Sequence, residues 1–518
     1  MNEPIRGTVS GPPRPATKPG RPARRASLQP ERLTSIPRHY VKLFVLGVAA
    51  LILYYVISDP NNANLATRSL AAIVLLVSCF PMALYLLRGK IFQVPALEAH
   101  CMFYALAFGF AGFLPVPNMG GAGTITEAML DVGLFTTLIG LLALLAGYYL
   151  VGPKLFTKVQ GLNLDRGFSL ATLESLAWVG CFLAAIVSQI ARHSESLAVL
   201  GQCSMYTYGL GFYLLLVLAL DKKISLVSRF GVFCLLFPYQ VLFNSGLGTG
   251  QLAGVVILLC WLTLVILRCW RHIPVYLLVG SFLFFVVFQP VKFYVRTLVD
   301  QSGGSLSPVA MVKAYGEGFF AVYGSSQDML ANSKDNFESS FDRINHLALL
   351  SAVIRDTPSS QPYLYGKTYI PLLTKAIPRM IWRGKPIEDL GNRWAVKYGF
   401  LSENDTTTSY NLPWLVEMYM NGGTVGVVIV MLVLGIAFRF LWLRIISVSI
   451  GAATYATGLV IAQALVFVES NLSMQLGGVI AFVIFLWVLL KIAAVLGIYS
   501  PAPAAAKRLR SRTMAVRG

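Results

Sequence analysis

Three positions carry the residue types that acid–base chemistry requires. Arg343-Ile-Asn-His346 places an arginine three residues before the only histidine of the segment 297–412, a spacing that on a helix shares one face. Imidazole titrates near neutrality and so suits a general base that takes a proton from a substrate hydroxyl, with Arg343 holding a neighbouring phosphate. Plain surface or packing duty is the simpler role for a single loop histidine. Glu417, in Asn411-Leu-Pro-Trp-Leu-Val-Glu-Met-Tyr-Met-Asn-Gly-Gly-Thr-Val-Gly426, is the reserve base, since a carboxylate at the start of a membrane helix is costly unless paired, solvated or functional. The positive end of its own helix offers it a capping role instead.

The densest cationic string is Lys375-Ala-Ile-Pro-Arg379-Met-Ile-Trp-Arg383-Gly-Lys385-Pro386. Arginine presents a planar fork that matches phosphate oxygens and lysine a mobile point charge, so Arg379, Arg383 and Lys385 read as a pyrophosphate-binding strip. Its apolar members, Ile377, Met380, Ile381 and Trp382, fit a lipid-linked anion at the interface, and equally fit snorkelling anchors on headgroups. Gly246, Gly248 and Gly250 offer a backbone nest for phosphate, with helix packing as the alternative. Lys292 and Arg296 extend the strip or anchor a span, and Gly422, Gly423 and Gly426 permit close helix packing. There is no Walker sequence, no nucleotide fingerprint and no His/Cys metal spacing, so neither metal nor cofactor is expected.

The elements that position these residues follow from composition. Of 518 residues, 56% are hydrophobic and 13% charged, against about 45–50% and about 25% in soluble domains. Apolar runs recur from Val41 to Tyr499, and a helix needs roughly 20 such residues to cross the hydrocarbon. The sequence therefore predicts an all-α polytopic membrane protein of about twelve spans, near 41–57, 69–87, 96–114, 128–150, 170–190, 200–220, 230–244, 250–267, 273–295, 423–441, 446–468 and 476–498. The seven cysteines fall in or beside apolar runs, which argues against disulfides.

The net charge of +19 would point to nucleic acid in a soluble chain. Here the basic residues occupy the two ends and alternate loops, so they orient the protein by the positive-inside rule and no nucleic acid is expected. The predicted organisation is a basic cytoplasmic tail over 1–40, nine spans over 41–296, one large periplasmic loop of short helices over 297–412 that holds the active-site region, three spans over 413–499, and a second basic tail over 500–518. From Asp300 to Leu412 the loop carries eleven acidic and eleven basic residues, a balance that suits an extracytoplasmic face. Within it the spacing of Phe337, Phe341, Ile344 and Ala348 predicts a helix over Phe337–Ile354 lying on the membrane domain, ended by Asp356-Thr-Pro-Ser-Ser360. A second helix is expected from Pro386 to about Lys397.

The stretch from Phe341 to Gly426 resembles the oligosaccharide repeat-unit polymerases, the Wzy or O-antigen polymerase family, which share an architecture with O-antigen ligases. Arg343-Ile-Asn-His346, Gly366-Lys-Thr-Tyr369, Ile377-Pro-Arg-Met-Ile-Trp-Arg-Gly-Lys-Pro386 and Glu417-Met-Tyr-Met-Asn-Gly-Gly-Thr-Val-Gly426 carry the likeness; elsewhere it rests on topology. The resemblance implies a metal-independent glycosyltransferase of the bacterial inner membrane. It would move a growing glycan from its undecaprenyl pyrophosphate carrier to an incoming lipid-linked repeat unit, building O-antigen, capsule or exopolysaccharide at the periplasmic face. It also implies membrane lipid, a chain-length regulator and a flippase as partners. The chain departs from the family pattern at Tyr410, where the ligases carry a His-Asn pair, and in Asn244-Ser-Gly-Leu-Gly-Thr-Gly250, where many polymerases carry an arginine. The base thus stays open between His346, which is favoured, and Glu417. An O-antigen ligase is the related alternative. A lipid-linked oligosaccharide flippase is the separate one, although a flippase would line its path with mid-membrane charge and needs no long loop.

Overall fold

A backbone in hydrocarbon must satisfy its own hydrogen bonds, and this chain does so with helices. The computed structural model describes residues 36–58, 64–88, 92–115, 123–192, 197–247, 250–302, 306–324, 344–375, 377, 382, 384, 389–406, 408–448 and 450–499, and no strand occurs among them. The order is α1 Arg38–Ser58, α2 Leu65–Arg88, α3 Ala96–Phe113, α4 Glu127–Leu155, α5 Leu170–Arg192, α6 Ala198–Leu220, α7 Leu226–Asn244, α8 Ala253–Trp270 and α9 Val275–Gln301. The loop region supplies α10 Pro308–Tyr323, α11 His346–Asp356, α12 Ile370–Lys375 and α13 Leu390–Lys397, and the chain ends with α14 Trp414–Arg444, α15 Ala452–Val466 and α16 Leu472–Val495.

Eleven of these helices, α1 to α9, α14 and α16, are long and apolar enough to cross a membrane, so the chain is an all-α, multi-pass membrane protein. The twelfth expected span, 446–468, is realised as α15, only 15 residues long and buried along nearly its whole length. Lipid does not solvate α15; protein does. The two short spans around 230–267 form as α7 and α8, with α7 widened into π-helical turns at Val232–Leu236 and Gln240–Asn244. The tails 1–35 and 500–518 lie outside the described residues.

The main core cluster has α14 packed on α4, α5 on α6, and α15 on α6, with a separate small cluster between α9 and α10. Where α14 crosses α4, a side chain at Gly435 would run into the Leu144 carbonyl, so only glycine lets the two backbones meet. At the end of the bundle where α6 and α8 finish, Asp165 caps α15, its carboxylate accepting from Ala453 N at 2.8 Å, Thr454 N at 3.1 Å and Thr454 Oγ1 at 2.8 Å. Nearby, Arg268 donates to the Ile450 carbonyl at 2.6 Å, lies 3.6 Å from Asp221 and sits over the Tyr455 ring.

α14 is not one straight rod. Gly422 (φ −164°, ψ 23°) and Gly423 (φ 60°, ψ −155°) break it, the latter in a region that essentially only glycine adopts. In a straight helix Met418 and Gly426 would stand about 12 Å apart, at about 1.5 Å per residue. Instead, a Cβ built on Gly426 would come within 3.0 Å of the Met418 carbonyl oxygen, and one on Gly140 would touch Val427, Met431 and Leu415 together. The chain therefore reverses at the glycine pair. A short leg, from Trp414 to Asn421, folds back beside the long leg that follows, and every residue of the short leg is buried. The helix break is tolerated because protein encloses it.

The expected helix over Phe337–Ile354 is corrected in two respects. It begins at His346, with the Asn345 side chain accepting from Ala348 N at 3.0 Å as its cap; the expected upstream part, Phe337 to Arg343, lies outside the described residues. It is also no surface helix: His346 to Val353 are all buried, packed between α4 and α14. Its end at Asp356 is where the sequence places it.

Candidate functional site

The glycine reversal leaves carbonyls at the tip of the short leg without helical partners. The loop supplies them: Leu364 N donates to Met420 O at 2.9 Å and Tyr365 N to Asn421 O at 3.0 Å. Asn421 then turns its side chain into the same segment. Its Oδ1 accepts from Gly366 N at 2.8 Å, while its Nδ2 donates to Thr368 Oγ1 at 2.7 Å and to Glu417 O at 2.8 Å. Gly366 adopts φ 83° to make this turn, which hands the chain on to Lys367, Thr368 and Tyr369.

Beside this junction lies a cavity of about 480 Å³. One stripe of α13, Leu390, Arg393, Trp394 and Lys397, forms one wall, at the spacing that puts residues on a single helix face. Leu364, Lys367, Thr368, Ile370, Pro371 and Thr374 also line the cavity, together with Trp382, Met420 and Asn471. Trp394 is 1% exposed and donates from its indole nitrogen to Tyr410 O at 3.2 Å, so α13 is pinned by an anchor that the cavity does not need to move. Arg393 is paired with Asp389; among the described residues Lys367 and Lys397 carry no ion pair. Three cations, two tryptophans and hydroxyl and amide groups around an apolar pocket suit an anion that carries an apolar or ring-shaped body.

Glu417 is fully buried in the short leg. Its Oε2 accepts from Leu472 N at 2.7 Å, so it caps α16 and not its own helix; the carboxylate sits where the partial positive charge of α16 begins. Asn471, the residue before, lines the cavity. The Tyr369 hydroxyl is held in its protonated form, its titration pushed up by burial and then by the negative charge of Glu417. Glu417 does not line the cavity; its partners Leu472 and Tyr369 adjoin the lining residues Asn471 and Thr368 in the chain.

The other candidates are placed as follows. His346 is fully buried, with its ring 5.5 Å from that of Phe103 and 6.0 Å from that of Phe108, and it does not line the cavity. Arg343, Arg379, Arg383 and Lys385 lie outside the described residues; Trp382, from the middle of the cationic string, is on the cavity. Gly250 closes a turn through Gly250 N to Leu247 O at 3.0 Å, and Gly248 is outside the described residues. Lys292 is buried near the Phe293 ring. In the sequence Lys367 is a loop charge, and Arg393 and Lys397 are charges on the expected helix that ends near Lys397. The signals that single them out are the α13 stripe and the position of Lys367 directly after Gly366.

The described residues hold no His/Cys/Asp/Glu group able to bind a metal ion. Comparison with curated proteins returns no match, and comparison with solved structures returns none either. A family model described as a domain of unknown function, DUF8712, matches residues 158–495, a stretch that contains the cavity, the reversed helix and the last two helices. Since that stretch is more than half of the chain, the protein belongs to the DUF8712 family.

Proposed function

We propose that this protein is a glycosyltransferase of the bacterial inner membrane that polymerises undecaprenyl-pyrophosphate-linked repeat units, with the loop end of the bundle facing the periplasm. The observation that carries this reading is the cavity of about 480 Å³ lined by Lys367, Arg393 and Lys397 together with Trp382, Trp394 and apolar side chains, with the buried carboxylate of Glu417 in the neighbouring short leg. A pyrophosphate leaving group needs cations that receive its growing charge and no external energy source. In the proposed step the acceptor hydroxyl gives its proton to a base and its oxygen bonds to the anomeric carbon of the donor. The bond from that carbon to the pyrophosphate breaks, and the lipid pyrophosphate leaves with the electron pair. Neither Glu417 nor His346 lines the cavity; Glu417 is favoured as the base because its partners Leu472 and Tyr369 adjoin the lining residues Asn471 and Thr368 in the chain, whereas His346 has the Phe103 and Phe108 rings beside it.

The test is a purified-protein assay with lipid-linked repeat units. A ladder of lengthened glycans in the parent, lost in Glu417→Gln and kept in His346→Ala, supports the reading; a parent that makes no ladder sinks it. An O-antigen ligase differs only in its acceptor, so the same assay with lipid A core as acceptor separates the two. The flippase reading gains one argument from the broken helix α14, a feature that transporters use at their binding sites. Flipping requires sealed vesicles, whereas glycan lengthening proceeds in detergent. Orientation is checked by reporter fusions near Ser359: activity only as a cytoplasmic reporter would put the cavity on the wrong face.

A further inference from the structure

Asn421 makes three side-chain hydrogen bonds, all between 2.7 and 2.8 Å, and each goes to a different part of the site: the Gly366 amide, the Thr368 hydroxyl on the cavity wall, and the carbonyl of Glu417 itself. It is 6% exposed. No other described residue ties the cationic wall to the short leg through its side chain in this way. A hydrophobic side chain of similar size would hold the tip by packing, but it would leave the buried Thr368 hydroxyl without this partner, a penalty of roughly 1–3 kcal/mol, and would release the half-buried Gly366 amide.

We propose that Asn421 is a positioning residue that relays occupancy of the cavity to the Glu417 leg. An anion bound between Lys367, Arg393 and Lys397 draws on the Lys367–Thr368 wall. That wall is bonded through Thr368 Oγ1 and Gly366 N to the amide of Asn421, and the amide is bonded to the turn of helix that carries Glu417. Donor binding and base placement then become one event, which matters because a displacement of about 1 Å can cost about a hundredfold in rate. The inference rests on the transferase reading for its consequence in turnover, and on geometry alone for the relay.

The experiment is amide hydrogen exchange in the detergent-purified full chain, with and without inorganic pyrophosphate, on the parent, Asn421→Ala and Thr368→Val. In the parent, pyrophosphate should slow exchange at least threefold both in 366–369 and in 415–421. In Asn421→Ala the protection should remain in 366–369 and vanish in 415–421, and Thr368→Val, which keeps two of the three bonds, should show partial relay. Turnover should fall at least tenfold in Asn421→Ala at unchanged KM for the lipid-linked donor. A merely structural role would lower the Tm and leave both stretches protected in the folded fraction. That result, or protection of neither stretch in the parent, overturns the proposal. A parent that polymerises glycans yet shows no relay sinks the relay alone, and one that shows the relay yet never lengthens a glycan sinks the transferase reading alone.

Discussion

Both ends of the bundle bury charge at helix termini, and they do so to opposite effect. At the end where α15 begins, Asp165 accepts three hydrogen bonds from Ala453 and Thr454, and Arg268 is held by a carbonyl, a carboxylate and an aromatic face. Every contact there closes a joint between elements distant in the chain. At the loop end Lys367, Arg393 and Lys397 line a cavity, two of the three lack ion pairs among the described residues, and no described ion pair joins any of them to the buried carboxylate of Glu417. Charge that is consumed by its neighbours holds a fold together; charge arranged around a cavity is available to a ligand. The same residue types therefore mean different things at the two ends, and their partners make the distinction.

That contrast can be broken by experiment. The largest effect expected is in Glu417→Gln, which should lower turnover by on the order of a hundredfold to ten-thousandfold, as loss of a general base does, measured as glycan ladder formation per folded protein. Turnover within threefold of the parent would make Glu417 a cap of α16 and nothing more. Gly423→Ala comes next: it forces a side chain into a glycine-only conformation 2.7 Å from the Tyr363 hydroxyl, at a cost of about 1–3 kcal/mol. It should reduce both the Tm and turnover, and an unchanged Tm would mean that the reversal tolerates a Cβ.

Lys367→Ala and Lys397→Ala should each weaken pyrophosphate binding about threefold to tenfold, the scale of about 1 kcal/mol for a solvent-accessible charge pair. Fluorescence of the cavity tryptophans Trp382 and Trp394 reports it, and unchanged midpoints in both variants would remove the cavity from the mechanism. Asp165→Ala should have the smallest effect on catalysis. It lowers stability by about 1–2 kcal/mol through the lost cap, visible as a reduced Tm, while turnover per folded molecule stays at the parental value. A selective loss of turnover there would erase the difference between the two ends.

The spans were legible because hydropathy and length suffice to find a lipid-facing helix. The end of α11 was legible because Asp356-Thr-Pro358 carries a local stop signal. What escaped was non-local. Glu417 finds its partner 55 residues away at Leu472, whereas sequence reasoning offered it only its own helix terminus. The short leg from Trp414 to Asn421 falls outside the expected span 423–441 because Glu417 and Asn421 interrupt its apolar residues, but hydropathy does not say that protein covers it, and the glycine pair suggests packing in the sequence and not a reversal. The α11 start moved because apolar spacing continues upstream of Asn345, while the cap belongs to Asn345 itself. The cationic wall escaped although the helix ending at Lys397 was expected, because what joins Arg393 and Lys397 to Lys367 is a cavity formed between separate segments of the chain.

The reversal in α14 also fixes an order of assembly. A span can enter the bilayer alone, since its backbone is satisfied internally. The short leg cannot: it is a helix of about two turns, with Trp414 N bound to Val468 O, Glu417 to Leu472 N, and its last carbonyls bound to Leu364 and Tyr365. These partners come from the loop before it and from the turn between α15 and α16 after it. The leg can therefore settle only when synthesis has passed Leu472 and the last two helices are already in the membrane, so a chain that stops short of α16 has its spans in place and its site unbuilt.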